Sequence, residues 1–186
     1  MWHDTVLSTQ GMAQMANKTI KMELSQKSIQ DTIKQLRAYQ KSLVSKNEEF
    51  VRRLAELGTP VIDENIALAQ GDSDKNHNTY IRINNFGGYS QATLVCEGKS
   101  LAFIEFGAGI HYNTPAGTSP HPKGQEFGYT IGSYGQGNGN NDSWVYYADS
   151  GEWVRSYGTE ATMPVYKASV EIMQSIRKIA KEVFSS

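Results

Sequence analysis

The stretch around which this chain is organised is Leu101-Ala102-Phe103-Ile104-Glu105-Phe106-Gly107-Ala108-Gly109. A short apolar run that ends on glycines is typical of a β-strand followed by a sharp turn. Alternation along a strand would place Glu105 on the same face as Leu101 and Phe103. We therefore expect this acid to be partly buried and to pair with a backbone amide or a basic side chain. A role in chemistry is the alternative.

Length and composition indicate one soluble globular domain. A chain of 186 residues, 39% hydrophobic and 20% charged, is long enough to bury a core. No apolar run approaches the roughly 18 residues of a membrane span. The first residues lack the basic and apolar regions of a secretory signal. Because Cys96 is the single cysteine, no intrachain disulfide can form, which favours the cytoplasm or a particle assembled there.

Charge is distributed unevenly along the sequence. Residues 1–57 and 161–186 together carry a net charge of +5, whereas residues 58–160 hold eleven acidic and five basic side chains. Phosphate attraction needs a basic surface, so the acidic middle region argues against a sheet that binds nucleic acid. The pattern leaves open that DNA passes nearby without binding.

The N-terminal part predicts an arm and a long helix. Residues 1–24 are expected to form an arm that ends in a short strand, because residues 19–24 alternate polar and apolar side chains. From Ser25 or Ser28 onward, apolar residues recur at steps of three, four or seven: Ile29, Ile33, Leu36, Leu43, Phe50, Leu54 and Leu57. Gly58 and Pro60 predict the end of this helix and a short second helix that stops at Gly71.

The predicted long helix exceeds what a compact domain requires. About 30 residues at about 1.5 Å each reach roughly 45–50 Å. Packing against the sheet accounts for much of its apolar stripe. We expect a partner subunit to cover the rest.

The middle of the chain predicts an antiparallel meander, because the period changes to two and the breaks are short turns. The candidate strands are residues 80–83, 92–96, 101–106, 144–147 and 153–154. A long connection, residues 108–143, interrupts them and is rich in Gly, Asn, Pro and His. Its glycines lack the lysine and the strand-to-helix context of a phosphate-binding loop, so we expect a flexible or interface loop.

The chain ends in a clear amphipathic helix. Thr162 and Pro164 begin it, and its predicted buried face comprises Val165, Ser169, Ile172, Met173, Ile176, Ile179, Ala180 and Val183. The predicted fold class is therefore α+β. A long N-terminal helix and a C-terminal helix pack on an antiparallel β-meander, in one domain that spans residues 25–186.

This order of elements resembles the neck and tail-component family of long-tailed bacteriophages, whose members join head to tail. That family has a strand motif of the form Tyr-Val-Glu-Phe-Gly-Thr, matched here by Phe103-Ile104-Glu105-Phe106-Gly107-Ala108. A second motif, an Arg-Pro-Phe-type entry followed by Ala, is matched more loosely by Met163-Pro164-Val165-Tyr166-Lys167-Ala168. Met163 stands where the family has arginine. The resemblance covers roughly residues 25–185.

The resemblance implies a structural protein without catalysis or cofactor. Such a protein forms a homo-oligomeric ring in the virion, between the connector or head-closure protein and the tail tube, and lets DNA pass. It would assemble in the bacterial host cytoplasm without a membrane. A tail-tube terminator or another virion adaptor is the alternative within this class. The motif and interface candidates are Phe103, Ile104, Glu105, Phe106, Gly107, Pro164, Tyr166 and Ala168.

In such a ring the acidic middle region could face the channel. Negative charge there would repel the phosphates and let DNA slide. The structure of an assembled ring tests this hypothesis, because a channel lined by the two basic helices would contradict it.

The competing class is an enzyme with a metal or acid–base site. His111 and His121, with Glu105 and Glu126, are the one constellation of suitable side chains. The ten-residue spacing of the two histidines matches no short metal-binding motif. Cys96 lies within an apolar strand, which indicates a core residue rather than a nucleophile.

Metal analysis of the purified protein separates these classes. We expect no stoichiometric zinc, because the spacing of His111 and His121 fits no zinc motif. Zinc bound at one ion per chain would favour the metal hydrolase.

Overall fold

The computed structural model describes residues 20–113, 119–129 and 142–185. Seven elements follow one another: α1 (Gln26–Leu68), β1 (Asn78–Asn85), β2 (Ser90–Glu97), α2 (Leu101–Phe106), β3 (Trp144–Tyr147), β4 (Trp153–Ser156) and α3 (Pro164–Phe184). The α+β class, with its long N-terminal helix and its C-terminal helix, is confirmed. β1 pairs antiparallel with β2, and β3 pairs antiparallel with β4, in two separate two-stranded sheets.

Some predictions fall outside the described residues. These are the arm over residues 1–19 and two parts of the long connection, residues 114–118 and 130–141. Residues 20–24 form no strand, so that prediction is wrong for its described part. Ser25 begins α1 instead, and its side chain accepts a hydrogen bond from Ser28 N at 3.2 Å.

The predicted strand over residues 101–106 is wrong, because this stretch forms the short helix α2. Five apolar residues and one acid in a run of six satisfy a helical period as well as a strand period. In the helix, Leu101, Ile104 and Glu105 share a face, since they stand three or four positions apart. Ile104 and Glu105 are buried, and Gly107 ends the helix with a φ of 82°.

The predicted end of the long helix at Gly58 is also wrong, because α1 continues through Pro60 to Leu68. Gly58 serves packing rather than termination. A Cβ at this position would lie 2.5 Å from Leu94 Cδ2 and 3.0 Å from Ile172 Cδ1. Pro60 removes one helical N–H on the exposed side of α1, where water can hydrogen-bond the carbonyl that loses its partner.

The hydrophobic core lies where α1, α2 and α3 meet. Its buried residues are Ile62, Ile66, Ala69, Ile104 and Ala168. Ile66 and Ile104 are completely inaccessible to solvent. The core therefore occupies the C-terminal half of α1.

α3 runs antiparallel to α1 along that half. Near the start of α3, Lys167 Nζ donates a hydrogen bond to Asn65 Oδ1 at 2.8 Å. At the other end of α3, the ring centroids of Phe184 and Phe50 lie 5.8 Å apart. The contact with α3 thus ends between residues 45 and 50 of α1.

The β1–β2 hairpin covers the same length of α1. Near its base, His77 Nε2 lies 3.1 Å from Asp63 Oδ1, and towards its tip Asn85 Nδ2 donates to Glu48 Oε2 at 2.9 Å. Residues 26–45, here called the α1 extension, therefore project beyond both α3 and the hairpin. At about 1.5 Å per residue, the extension is about 30 Å long.

The predicted buried face of α3 is wrong in part. Ile179 and Val183 are buried with Ala168, but Val165, Met173 and Ile176 are 51%, 61% and 41% exposed. Ser169 is exposed as well. α1 covers only one side of α3, and the stripe of apolar residues on α3 is wider than the surface that α1 covers.

The β3–β4 hairpin is attached at the opposite end of α1 from the extension. Tyr157 N donates to Asp72 Oδ2 at 2.7 Å, and Glu160 N donates to Gln70 O at 2.8 Å. Thr159 forms a β-bridge with Ala108. The segment that directly follows β4 is therefore attached just beyond Leu68, the last residue of α1.

Replacing Ile66 by alanine should lower the free energy of unfolding by about 2–5 kcal/mol, because the change leaves a cavity in the core. Leu68→Ala is the matched control on the same helix, since Leu68 is 64% exposed. Its effect should stay within about 0.5 kcal/mol. Urea denaturation measures both changes, and equal losses would contradict this placement of the core.

Candidate functional site

A buried carboxylate begins the C-terminal helix. Glu105 Oε2 accepts a hydrogen bond from Val165 N at 2.8 Å, and Oε1 accepts one from Tyr166 N at 2.9 Å. The residue at the N-cap position, Met163, has a φ of 55° and supplies no side-chain hydrogen bond. Glu105 thus satisfies amides that the helix start leaves unpaired, and its negative charge lies at the positive end of the helix dipole. The expectation that Glu105 pairs with a backbone amide is confirmed.

His121 supplies a third hydrogen bond to the same carboxylate. Its Nε2 lies 3.0 Å from Glu105 Oε1, and its Nδ1 accepts a hydrogen bond from Lys123 N at 3.0 Å. Because Nδ1 acts as an acceptor, the ring proton belongs on Nε2, which donates to Glu105. Glu105 and His121 are 8% and 7% exposed, so this pair is closed to solvent.

Aromatic rings surround the pair. Phe106 stacks on Tyr129 with a centroid distance of 4.0 Å and packs against the His121 ring at 4.6 Å. The Tyr166 ring meets His121 edge-on at 5.2 Å. We refer to Glu105, Phe106, His121 and Tyr166 as the Glu105 cluster. It joins α2, the segment 119–129 and the start of α3.

The main chain reinforces this junction. Thr162 N donates to Ile104 O at 3.0 Å, and Ser119 Oγ donates to Phe106 O. Pro164, the first residue of α3, is almost completely buried. α2 therefore holds both the start of α3 and the segment that carries His121.

A buried asparagine holds the chain just after α2. Asn113 Nδ2 donates to Thr159 O at 2.6 Å, and its Oδ1 accepts from Ala161 N at 2.9 Å. Gly107 lies against this side chain, and a Cβ there would lie 2.9 Å from Asn113 Oδ1. Glycine is required at this position because of its positive φ and this close approach.

The structure brings the two predicted motif stretches together. Glu105 contacts the amides at the start of α3, while Ile104 and Ala168 belong to one core. Pro164 is buried at the same junction, and Tyr166 packs against His121. The other motif residues lie beside them: Phe106 in the cluster, Gly107 against Asn113, and Phe103 at the wall of a neighbouring cavity of about 360 Å³.

The residues of the metal hypothesis do not all meet. Glu105 and His121 are in contact, but the carboxylate oxygens already accept three N–H groups. His111 packs instead against Tyr157, with a centroid distance of 5.5 Å, and Glu126 is exposed. Within residues 20–113, 119–129 and 142–185, no group of three or more His, Cys, Asp or Glu side chains could hold a metal ion.

The single cysteine is not activated as a nucleophile. Cys96 lies in β2, half-buried, and Thr79 Oγ1 donates a hydrogen bond to its sulfur at 3.5 Å. Burial raises the pKa of the Cys96 thiol, which favours the unreactive protonated form.

Two residues of the junction carry no sequence signal for their role. Asn113 lies in a loop rich in asparagine and glycine, and nothing in the sequence distinguishes it from its neighbours. The sequence suggests His121 only as a candidate for a metal or acid–base site. Its true partner follows from the path of the segment 119–129, which the sequence pattern does not predict.

Comparison of this chain with models of protein families, with curated proteins and with solved structures finds no match.

Replacing Glu105 by glutamine should lower the free energy of unfolding by about 2–4 kcal/mol, because an amide NH2 would face donors in place of an acceptor oxygen. Thermal and urea denaturation measure the loss. Glu126→Gln makes the same chemical change at an exposed site and should have little effect. Equal stabilities of the two variants would contradict the role assigned to Glu105.

Proposed function

We propose that this protein is a structural component of a tailed-phage virion that forms a ring at the head–tail junction. The ring would join the connector or head-closure protein to the tail tube and let DNA pass. The proposal combines the motif resemblance with the surfaces that the fold leaves uncovered.

The observation that carries the proposal is the α1 extension. Ile29, Ile33 and Leu36 follow one helical stripe and are 41%, 45% and 50% exposed. Most of the stability of helices in proteins comes from packing of an apolar face, so an apolar stripe along this unsupported part of α1 favours burial against a partner. A helix that projects about 30 Å from its own core is typical of a subunit that completes itself in an assembly.

The Glu105 cluster gives the two motif stretches one shared structural role, although the first stretch forms the helix α2 here and not the strand of the family motif. The acid of the first motif caps the helix that begins in the second motif. The two motifs are far apart in the sequence, but they meet at one packed junction in the fold. A structural role at this junction explains why both motifs occur together, without catalysis.

The chemistry of the buried groups favours a structural role. Glu105 and His121 are closed to solvent and engaged in hydrogen bonds that hold α3 and the segment 119–129. The remaining candidate ligand, His111, lies on tyrosine rings. Burial and these hydrogen bonds therefore keep Glu105 and His121 from reaching a substrate.

Charge is compatible with the proposed path of DNA. The acidic middle region, residues 58–160, would repel phosphates if it lined the channel of the ring.

None of the helices in residues 20–113, 119–129 and 142–185 is long and apolar enough to cross a membrane.

Deletion of this gene from a phage or prophage should give full heads and separate tails, or tails of irregular length, in electron micrographs of lysates. Separate tails support head–tail joining, and irregular lengths support the tail-tube terminator. The wild-type gene supplied in trans is the control and should restore joined virions. Normal, joined virions in its absence would refute the proposal.

A further inference from the structure

The α1 extension is basic as well as apolar. Residues 26–45 hold four basic side chains and one acidic side chain, and all five are exposed. None of them forms an ion pair within the described part of the chain. Lys34 and Arg37 flank the stripe of Ile33 and Leu36. A partner for this helix should therefore offer an apolar surface with negative charge beside it.

The β3–β4 hairpin offers such a surface. Its outer face consists of Val145, Tyr147, Trp153 and Arg155, because Val145 pairs with Arg155 and Tyr147 pairs with Trp153 in the register. Trp153 is 73% exposed and Tyr147 is 62% exposed, with their ring centroids 5.3 Å apart.

Acidic side chains border this outer face. Residues 142–156 hold three acids, Asp142, Asp149 and Glu152, and one base, Arg155. All four are exposed, and Arg155 donates a hydrogen bond to Ser143 Oγ rather than to an acid. The hairpin thus carries the opposite net charge to the α1 extension.

The two surfaces cannot meet within one chain. The hairpin is attached beside Asp72, just beyond the end of α1. The nearest residue of the extension, Ser45, lies 23 residues before Leu68, the last residue of α1. That separation is about 35 Å along the helix. Strands of four residues span only about 14 Å, so the hairpin is too short to fold back to its own extension.

We propose that the α1 extension of one copy packs on the outer face of the β3–β4 hairpin of a second copy. The contact joins two different surfaces of the same chain, so repetition closes a ring or continues as a filament. This contact adds detail to the proposed function. It rests on that function only where a closed ring is preferred to a filament.

The chemistry of the two surfaces is complementary. The stripe of Ile29, Ile33 and Leu36 would cover the exposed rings of Tyr147 and Trp153. Lys34 and Arg37 would lie near the hairpin acids or over the ring faces, where cations are attracted. The acids of the hairpin would then contribute to the contact between subunits, and the acidic side chains before residue 142 would remain for the channel.

Charge reversal tests the pairing in the full-length protein. The extension variant carries Lys34→Glu and Arg37→Glu, and the hairpin variant carries Asp149→Lys and Glu152→Lys. Each alone should raise the dissociation constant of the oligomer at least about tenfold, because like charges would face each other. Analytical ultracentrifugation over a concentration series measures the constant, and circular dichroism checks that each variant is folded.

A mixture of the two variants provides the decisive measurement. In an equimolar mixture, the acidic extension of one variant faces the basic hairpin of the other, and the wild-type extension of the second faces the wild-type hairpin of the first. The mixture should therefore regain oligomers that neither variant forms alone. Continued failure of the folded variants to associate would overturn the pairing.

Two further variants separate this contact from general effects of charge. Arg177→Glu with Lys178→Glu makes the same change on exposed residues of α3 and should leave the oligomer unchanged. Trp153→Ser removes the most exposed ring of the hairpin and should weaken association at least about thirtyfold. A monomeric wild-type chain at every concentration reached, or an unaffected Trp153→Ser oligomer, would overturn the proposal.

The outcome is distinguishable from the test of the head–tail role. Separate heads and tails after gene deletion, with oligomers that resist all charge reversals, would support the role and refute this contact. Restored association in the mixture, with normal virions after deletion, would support the contact and refute the role.

Discussion

The structure depends on the hydrogen bonds between one buried carboxylate and the start of the last helix. Removing a carboxylate from water costs several kcal/mol unless donors replace the lost solvent. The start of α3 has the opposite deficit, because its first amides lack acceptors and Met163 provides no cap. Glu105 and α3 each supply what the other lacks, so neither is stable in this position alone.

This reciprocity fixes more than one helix. The residue before Glu105 is Ile104, which lies in the core with Ile62 and Ile66 of α1. The residue after it is Phe106, whose ring packs against the rings of His121 and Tyr129. Three neighbouring side chains of α2 therefore point into three different contacts. A helix of six residues can do this because its side chains spread around the axis, whereas a strand would offer two faces only.

The periodicity of apolar residues predicted the elements that have one buried face and one exposed face. The strands of the two hairpins and most of the two long helices follow from alternation or from a 3.6-residue stripe, and Pro164 marks the start of α3 as expected. The strands form two separate sheets and not the single predicted meander, because α2 replaces the strand expected between them. The pattern failed where tertiary contacts decide. α2 has an apolar run too short to distinguish strand from helix, and Gly58 is a glycine because Leu94 and Ile172 press on it. The pairing of Glu105 with a backbone amide was predictable, but the contacts of His121 and Asn113 depend on the course of loops.

The way α1 leaves the body has a mechanical consequence. Its last lateral supports lie at Phe50, which packs against Phe184, and at Glu48, which accepts a hydrogen bond from Asn85, and the α1 extension then projects beyond α3 and the β1–β2 hairpin. A stiff rod held at one end amplifies rotation at its base. A tilt of about 5° at the support displaces the tip of a 30 Å rod by roughly 2.5 Å. Small adjustments in the packing of Phe50 against Phe184 would thus change the direction of the whole α1 extension relative to the core.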